Sequence, residues 1–437
     1  MTEPVRVTAR SSARWSRTPV IAIGVAGSAI LAAVGLVFSR PDVVGIGLPL
    51  ALGTAWMLMR RPRDSTMSIE LRAHVEGSGD SSEVLAEVDA ILDSDWVQVA
   101  IDQEARRSGL ADARPGHSIL LTCNRLQHSG PVELLGVTVR GVALDGAWVS
   151  EAGPRVVLEW NTPPRQVRIG QLPVAPRLTG LHGAHEGVRP GQGGDFRDIH
   201  PFVPGDELRR VDWRATARAA RRPGELLVRR STTLSDSSVV IAVDTAEDLG
   251  TVVASWGADD ADRSGVTSLD LAREAALSIA TAAVGVGDRV AYHALSPGGR
   301  SLPSGGGPRH LARVRDMIAA TGQSAEVSRY RRSPVVPSGS IVFVLSTFFD
   351  GVAAQLATRW RAAGHVVVAV DVLPIPDRSR LTREQRIALR TLLAERSDIL
   401  VELRHAGVEV VAWTDPDIDV AMRLAALRQR RMRTVRR

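Results

Sequence analysis

Residues 198–223 read DIHPFVPGDELRRVDWRATARAARRP. The stretch gathers Arg209, Arg210, Arg214, Arg218, Arg221 and Arg222 beside Asp206, Glu207 and Asp212, with Trp213 among them. Three chemistries suit such a set. Arginines can neutralise phosphates, with an affinity that falls steeply with salt. His200 with Asp198 could exchange protons in a cleft. Arginines can also lock onto neighbouring carboxylates as bidentate pairs and build a rigid docking element. Trp213 can pack in a core or receive a guanidinium over its ring.

A second set closes apolar runs further on: Asp244, then Ser346 with Thr347, then Asp371. Carboxylate and hydroxyl oxygens are the ligands a hard cation such as Mg2+ takes. The same residue types cap turns and helices, and spacing alone favours capping. His293 stands by itself, and His117 and His128 fall in or near loops and read as solvated. The single cysteine, Cys123, lies in a strand pattern, and no Gly–x–Ser–x–Gly elbow is present. No catalytic residue is assigned, and no enzyme is expected.

The elements that position these residues follow from the hydrophobic pattern. From Ser238 onward, apolar runs at 238–244, 289–295, 340–346, 365–371 and 408–413 alternate with helical patterns at 268–286, 309–321, 352–364 and 382–407, and a last helix is expected over 416–433. Apolar strands joined by crossover helices predict a parallel sheet covered on both faces, doubly wound. Such sheets bind ligands beyond the carboxyl ends of their strands, where Asp244, Ser346, Thr347 and Asp371 stand.

Residues 66–175 alternate apolar and polar positions between Gly, Ser, Asp and Pro turns, which predicts a small β-sandwich without a catalytic cluster. A Pro/Gly-rich stretch over 172–196 reads as a linker, because no Gly-Lys-Ser/Thr follows its glycines. The acidic loop 257–265 reads as solvated.

The N-terminus is different. Residues 19–38 are twenty in a row without a charge, about 30 Å as a helix. Residues 43–59 add roughly 26 Å more after a turn too short to hold a domain. Arg6, Arg10, Arg14 and Arg17 precede the pair and Arg60, Arg61 and Arg63 follow it, while Arg40 in the turn is offset by Asp42. The arginine rule therefore predicts a helical hairpin in the cell membrane with both termini and the remaining domains in the cytoplasm. The expected division is an anchor over 1–63, the β-rich domain over 64–175, the linker and arginine motif over 176–237, and the α/β domain over 238–437.

Charge distribution weighs against nucleic acid. The chain carries a net charge of +6 and no lysine. Residues 1–63 hold eight Arg against two acids, which accounts for all of it, and the tail 423–437 holds seven Arg and no acid. Residues 64–422 are thus net acidic, whereas a nucleic-acid binder carries its charge on the folded domain. The arginine tail suits an anionic lipid surface or a solvated helix end.

The motif at Pro204, Gly205, Asp206, Arg209, Val211, Asp212, Trp213, Ala217 and Arg218, with LLVRR at 226–230 leading into the first parallel strand, resembles the domain-of-unknown-function family number fifty-eight, whose members carry a von Willebrand factor A-like domain. His200 and Phe202 stand where that family usually has Arg and Tyr. The metal-bearing A-like pattern is Asp–x–Ser–x–Ser. Here Asp244 remains while Ala246 and Asp248 replace the hydroxyl residues, and Thr347 replaces an Asp. The resemblance therefore implies a degenerate metal position, no metal and no cofactor. It implies a protein-interaction or assembly module partnered by a MoxR-type AAA ATPase and a client protein. A metal-dependent ligand-binding module is the alternative, and a nucleic-acid binder the second.

Overall fold

The computed structural model describes residues 5–76, 83–103, 108–122, 128–170, 172–173, 185–204, 206–222, 224–235, 237–256, 265–296, 299–324 and 333–414. Cys123, Gly205, most of the acidic loop, the expected helix 416–433 and the arginine tail lie outside the described residues. The chain forms two compact units, Met1–Leu126 with Pro131–Trp160 and Gln127–Gly130 with Asn161–Arg437.

The first unit begins with strands β1 (Val5–Ala13) and β2 (Trp15–Arg17), then helices α1 (Pro19–Val37) and α2 (Pro41–Met59). Both helices start on a proline, whose missing N–H costs nothing in the first turn. Both are long and apolar enough to cross a membrane, and their large side chains face outward. The two pack closely: a Cβ on Gly24 would lie 2.3 Å from Thr54 Oγ1, and one on Gly35 would lie 2.4 Å from Val44 Cγ2.

Eight strands follow: β3 (Ser65–Glu76), β4 (Glu83–Ile91), β5 (Trp96–Gln103), β6 (Gly109–Ala113), β7 (Ile119–Thr122), β8 (Gly130–Ala143), β9 (Trp148–Ser150) and β10 (Val156–Thr162). One sheet has the order β1-β3-β4-β7, the other β2-β9-β8-β5-β6 with β10 also on β8. Met67, Ile69, Leu71 and Val88 from the first sheet share a core with Val97, Val99, Val137, Val139 and Leu158 from the second.

The N-terminal segment departs from the sequence expectation. Residues 5–17 are strands rather than a basic flank of the anchor. Val5, Val7, Ala9 and Ala13 point inward while Arg6, Thr8 and Arg10 point out, a period of two. β1 pairs with β3 from Val5↔Ala73 to Ala13↔Ser65, so the hairpin is inserted between two partnered strands. Its base is gripped by the sheet: the Trp15 indole donates to the Arg63 carbonyl at 3.1 Å, and Trp148 donates to the Met57 carbonyl at 2.8 Å.

The second unit opens with β11 (His185–Pro201) and β12 (Leu227–Ser235), an antiparallel pair with register shifts. From His185 on, the expected linker is therefore strand, with register shifts at Gly187/Pro190 and Gly191/Phe196, where Pro and Gly are tolerated. Helix α3 (Trp213–Ala219) lies in the connection. The rest alternates: β13 (Ser238–Asp244), α4 (Ser268–Gly285), β14 (Arg289–Leu295), β15 (Ser301–Gly305), α5 (Pro308–Ala319), β16 (Ile341–Ser346), α6 (Val352–Ala362), β17 (Val366–Asp371), α7 (Arg383–His405) and β18 (Glu409–Ala412). The sheet order is β15-β14-β13-β16-β17-β18. All neighbours are parallel except β15, an antiparallel edge strand. β13 is buried along its whole length. Ile241, Val243 and Phe343 face Ala272, Ala275 and Ile279 of α4, while Val240, Val342 and Val344 face Leu356 and Trp360 of α6 and Leu400 and Leu403 of α7. Helices thus cover both faces, as the apolar runs require.

Candidate functional site

Two places in the second unit gather the chemistry-bearing residues. The first is the carboxyl end of β13 and β16, where the strand order reverses direction and α/β sheets open a crevice. Asp244 closes β13 and is buried. The Ser346 hydroxyl, at the end of the adjacent strand, donates to Asp244 Oδ2 at 2.7 Å and accepts the Phe348 N–H at 2.9 Å. The Thr347 hydroxyl donates to Glu247 Oε2 at 2.8 Å. The next residue, Phe348, is fully buried at φ 58°, in the left-handed region. A bulky side chain there costs on the order of 1–3 kcal/mol and persists only when its surroundings over-determine it.

Arg396 of α7 supplies that determination. It is buried, its Nε donates to the Thr347 carbonyl at 2.6 Å, and its Nη2 forms an ion pair with Asp371. Its guanidinium also lies 5.5 Å from the Phe349 ring centre, and Phe349 meets Trp256 edge-on at 6.0 Å.

The degenerate metal positions separate in space. Asp244 and Thr347 stand on neighbouring strand ends. Ala246 offers only its N–H, to Asp244 Oδ1 at 3.2 Å. Asp248 turns to the start of α4, where Oδ1 accepts the Leu269 N–H at 3.1 Å. Among the described residues, no group of three or more His, Cys, Asp or Glu side chains is placed to hold a metal ion. Sequence reasoning missed Glu247, Asp350 and Arg396. The first two follow a strand end by a few residues, a readable signal; Arg396 enters from a distant helix and leaves none.

Electrostatics mark this end of the sheet. Burial pushes the Glu247 carboxyl up; the Thr347 hydrogen bond offsets part of this, and Asp350 and Asp244 add to the rise. Burial likewise raises Asp350, with Asp244 as the next cause. A carboxyl whose folded-state value lies above its unfolded value binds more protons when folded. Its ionisation then costs stability as pH rises through the unfolded and then the folded value. Glu247→Gln is therefore expected to gain stability relative to the parent at pH 8 and to lose that gain at pH 4, read as the difference in urea midpoints between the two conditions.

The histidines sort differently. His200 Nε2 lies 3.4 Å from Asp206 Oδ2. His293 bonds Ser301 Oγ at 3.0 Å, and burial lowers its pKa. His128 is not a solvated loop residue. Its Nδ1 lies 2.7 Å from Asp270 Oδ2, and the Ser129 N–H and hydroxyl donate to Asp270 Oδ1. Burial pushes the Asp270 carboxyl up, but His128 and the N–H groups of Thr267 and Ser129 outweigh it and hold the carboxyl below its usual range.

The second place is the arginine motif. Its turns are built from inside: Asp206 Oδ2 accepts the Val203 N–H at 3.0 Å, and Asp212 caps α3 by accepting the Ala215 N–H at 2.9 Å. The Thr216 hydroxyl accepts the Leu227 N–H at 3.0 Å, tying α3 to β12. Glu207 pairs with Arg209 at 2.6 Å and with Arg210 at 3.2 Å, as a docking element of local ion pairs would. Arg209 holds the Glu207 carboxyl below its usual range. Arg214, Arg218, Arg221 and Arg222 are exposed and form no side-chain ion pair among the described residues. Trp213 sits neither in the core nor under a guanidinium among the described residues: it is 68% exposed, because Val211, Leu227 and Val228 already fill the inward positions. Leu208 is 67% exposed beside it in sequence. Pro204 and Ala217 are exposed too.

Relatives carry no assigned activity. The chain is 27% identical over 285 residues to uncharacterized protein Mb1516 of Mycobacterium bovis and, to the same extent, to uncharacterized protein Rv1480 of Mycobacterium tuberculosis, an alignment covering 62% of this chain and 80% of each relative. The arginine motif and the strand-end residues from Asp244 to Asp371 fall together in residues 198–389, which match the family described as "Protein of unknown function DUF58"; the match ends in the first turns of α7, before Arg396.

Proposed function

We propose that the protein is a membrane-anchored, non-enzymatic interaction module that works with a MoxR-type AAA ATPase in the maturation or assembly of a client protein. The observation that carries this reading is the outward-facing motif: Trp213 and Leu208 exposed among arginines, on an element braced by its own carboxylates. Trp and Arg are the side chains most often decisive at protein interfaces. The α/β unit supports a von Willebrand A-like reading through its antiparallel edge strand, its strand order and the acid that ends its first parallel strand. In this reading the two apolar helices serve as the anchor, and Arg60, Arg61 and Arg63 after them, against an Arg40 paired with Asp42 in the turn, favour both termini and the domains in the cytoplasm.

Crosslinking in native membranes, followed by purification of the full chain, checks the reading. A MoxR-type ATPase should be recovered from the parent and recovered several-fold less from Trp213→Ala, since Trp truncation at an interface centre typically costs at least about tenfold in affinity. Recovery of no such ATPase from the parent would sink the partnership.

A further inference from the structure

The motif's exposed face has a chemistry that narrows what can bind it. In α3, Trp213 with Ala217 and Arg214 with Arg218 are spaced by four residues, so they form two adjacent rows on one side of the helix. On the opposite side, the Thr216 hydroxyl accepts the Leu227 N–H and the Asp212 N–H donates to the Leu227 carbonyl at 2.8 Å, which ties the helix to β12. Arg221 and Arg222 continue beyond the helix, where their backbone N–H groups both donate to Glu225 Oε2. Leu208 and Arg209, both exposed, precede the helix in sequence.

We infer that this face binds an acidic segment of a partner protein, carboxylates on the Arg214/Arg218 row and an apolar side chain against Trp213 and Ala217. The inference rests on reading the motif as a docking site and names the chemistry of its partner. Charge complementarity carries it: four exposed guanidiniums have no ion-pair partner among the described residues, and a guanidinium fork matches a carboxylate in two parallel hydrogen bonds. Mixed charge on the same element points away from a lipid or nucleic-acid phosphate lattice. Glu207 is part-exposed beside Arg209, and a sheet of phosphates would meet it as well as the arginines.

The experiment uses the full chain in phosphatidylcholine nanodiscs and a labelled twelve-residue polyglutamate peptide carrying one central leucine. Fluorescence anisotropy should show binding that weakens with salt. Arg214→Gln/Arg218→Gln should raise Kd about tenfold, and Trp213→Ala should raise it several-fold. The polylysine counterpart should not bind. Circular dichroism of each variant should match the parent, since all three positions are exposed. The inference is overturned by equal Kd in parent and variants, by equal binding of the lysine peptide, or by phosphatidylglycerol vesicles engaging the same residues more tightly than the peptide. Because the protein is pure and the probe synthetic, recovery or loss of an ATPase from native membranes leaves this measurement untouched.

Discussion

A chain starting at Asp64 is expected to lose the fold of its first unit, whereas a chain lacking only the two helices is expected to keep it. Both lack the apolar hairpin, so the difference isolates β1 and β2. Ala13 and Trp15 are buried, and Trp15 also closes the core at the hairpin base with Ala143 and Trp148. Loss of a buried tryptophan alone costs about 3–5 kcal/mol, a large part of the roughly 5–15 kcal/mol that holds a domain together. Deletion also strips β3 of nine paired residues, from Val5↔Ala73 to Ala13↔Ser65, and leaves it as an open edge. The comparison is between residues 64–437 and a chain in which a short Gly/Ser linker joins Arg17 to Arg63. Cooperative thermal unfolding and resistance to limited proteolysis over 65–160 should survive in the linked chain only. Equal behaviour of the two would show that the N-terminal strands contribute nothing.

Arg396→Leu is expected to be the most damaging single change at the crevice. It leaves the part-buried Asp371 without its cation and with only the Leu373 N–H, removes the donor to the Thr347 carbonyl and takes the cation from beside Phe349. Breaking a buried pair from one side costs about 3–5 kcal/mol. Asp371→Leu added to Arg396→Leu should restore much of the loss, because the stranded charge goes with it. Urea midpoints of the two variants decide the matter: a double mutant no more stable than Arg396→Leu would mean that the Thr347 and Phe349 contacts, rather than the pair, hold the loop.

The parallel sheet was legible because its strands are continuously apolar and its helices amphipathic. The expected runs at 238–244 and 289–295 coincide with β13 and β14, and those at 340–346 and 365–371 differ from β16 and β17 by one residue at the start. β15 escaped notice because SLPSG is short and carries Pro303, tolerated only at an edge. β1 hid for another reason. Its alternation competes with the arginines that make the same residues look like a topological flank, and only pairing with β3, more than fifty residues away, decides between them. At the crevice, Asp244, Ser346, Thr347 and Asp371 were readable as strand ends, while Arg396 depended on how α7 packs. At the motif, the local Glu207 pairs were readable from spacing; the exposure of Trp213 was not, since it depends on which neighbours fill the interior first.

The insertion of the hairpin between partnered strands has a mechanical consequence. β1 enters α1 through β2, and β3 leaves α2, with Ala13 beside Ser65 at the hairpin end. A tug on the helices therefore pulls β1 and β3 the same way and does not slide one past the other. The load passes to the next ladder, β3 with β4, along the strand axis over the nine pairs from Ser68↔Ile91 to Glu76↔Glu83. Pulled in that direction, the ladder's bonds, which run across the strands, share the strain together instead of opening one by one. The helical hairpin is thus joined to its unit by a shear-loaded fastening with no single-strand tether to swivel on.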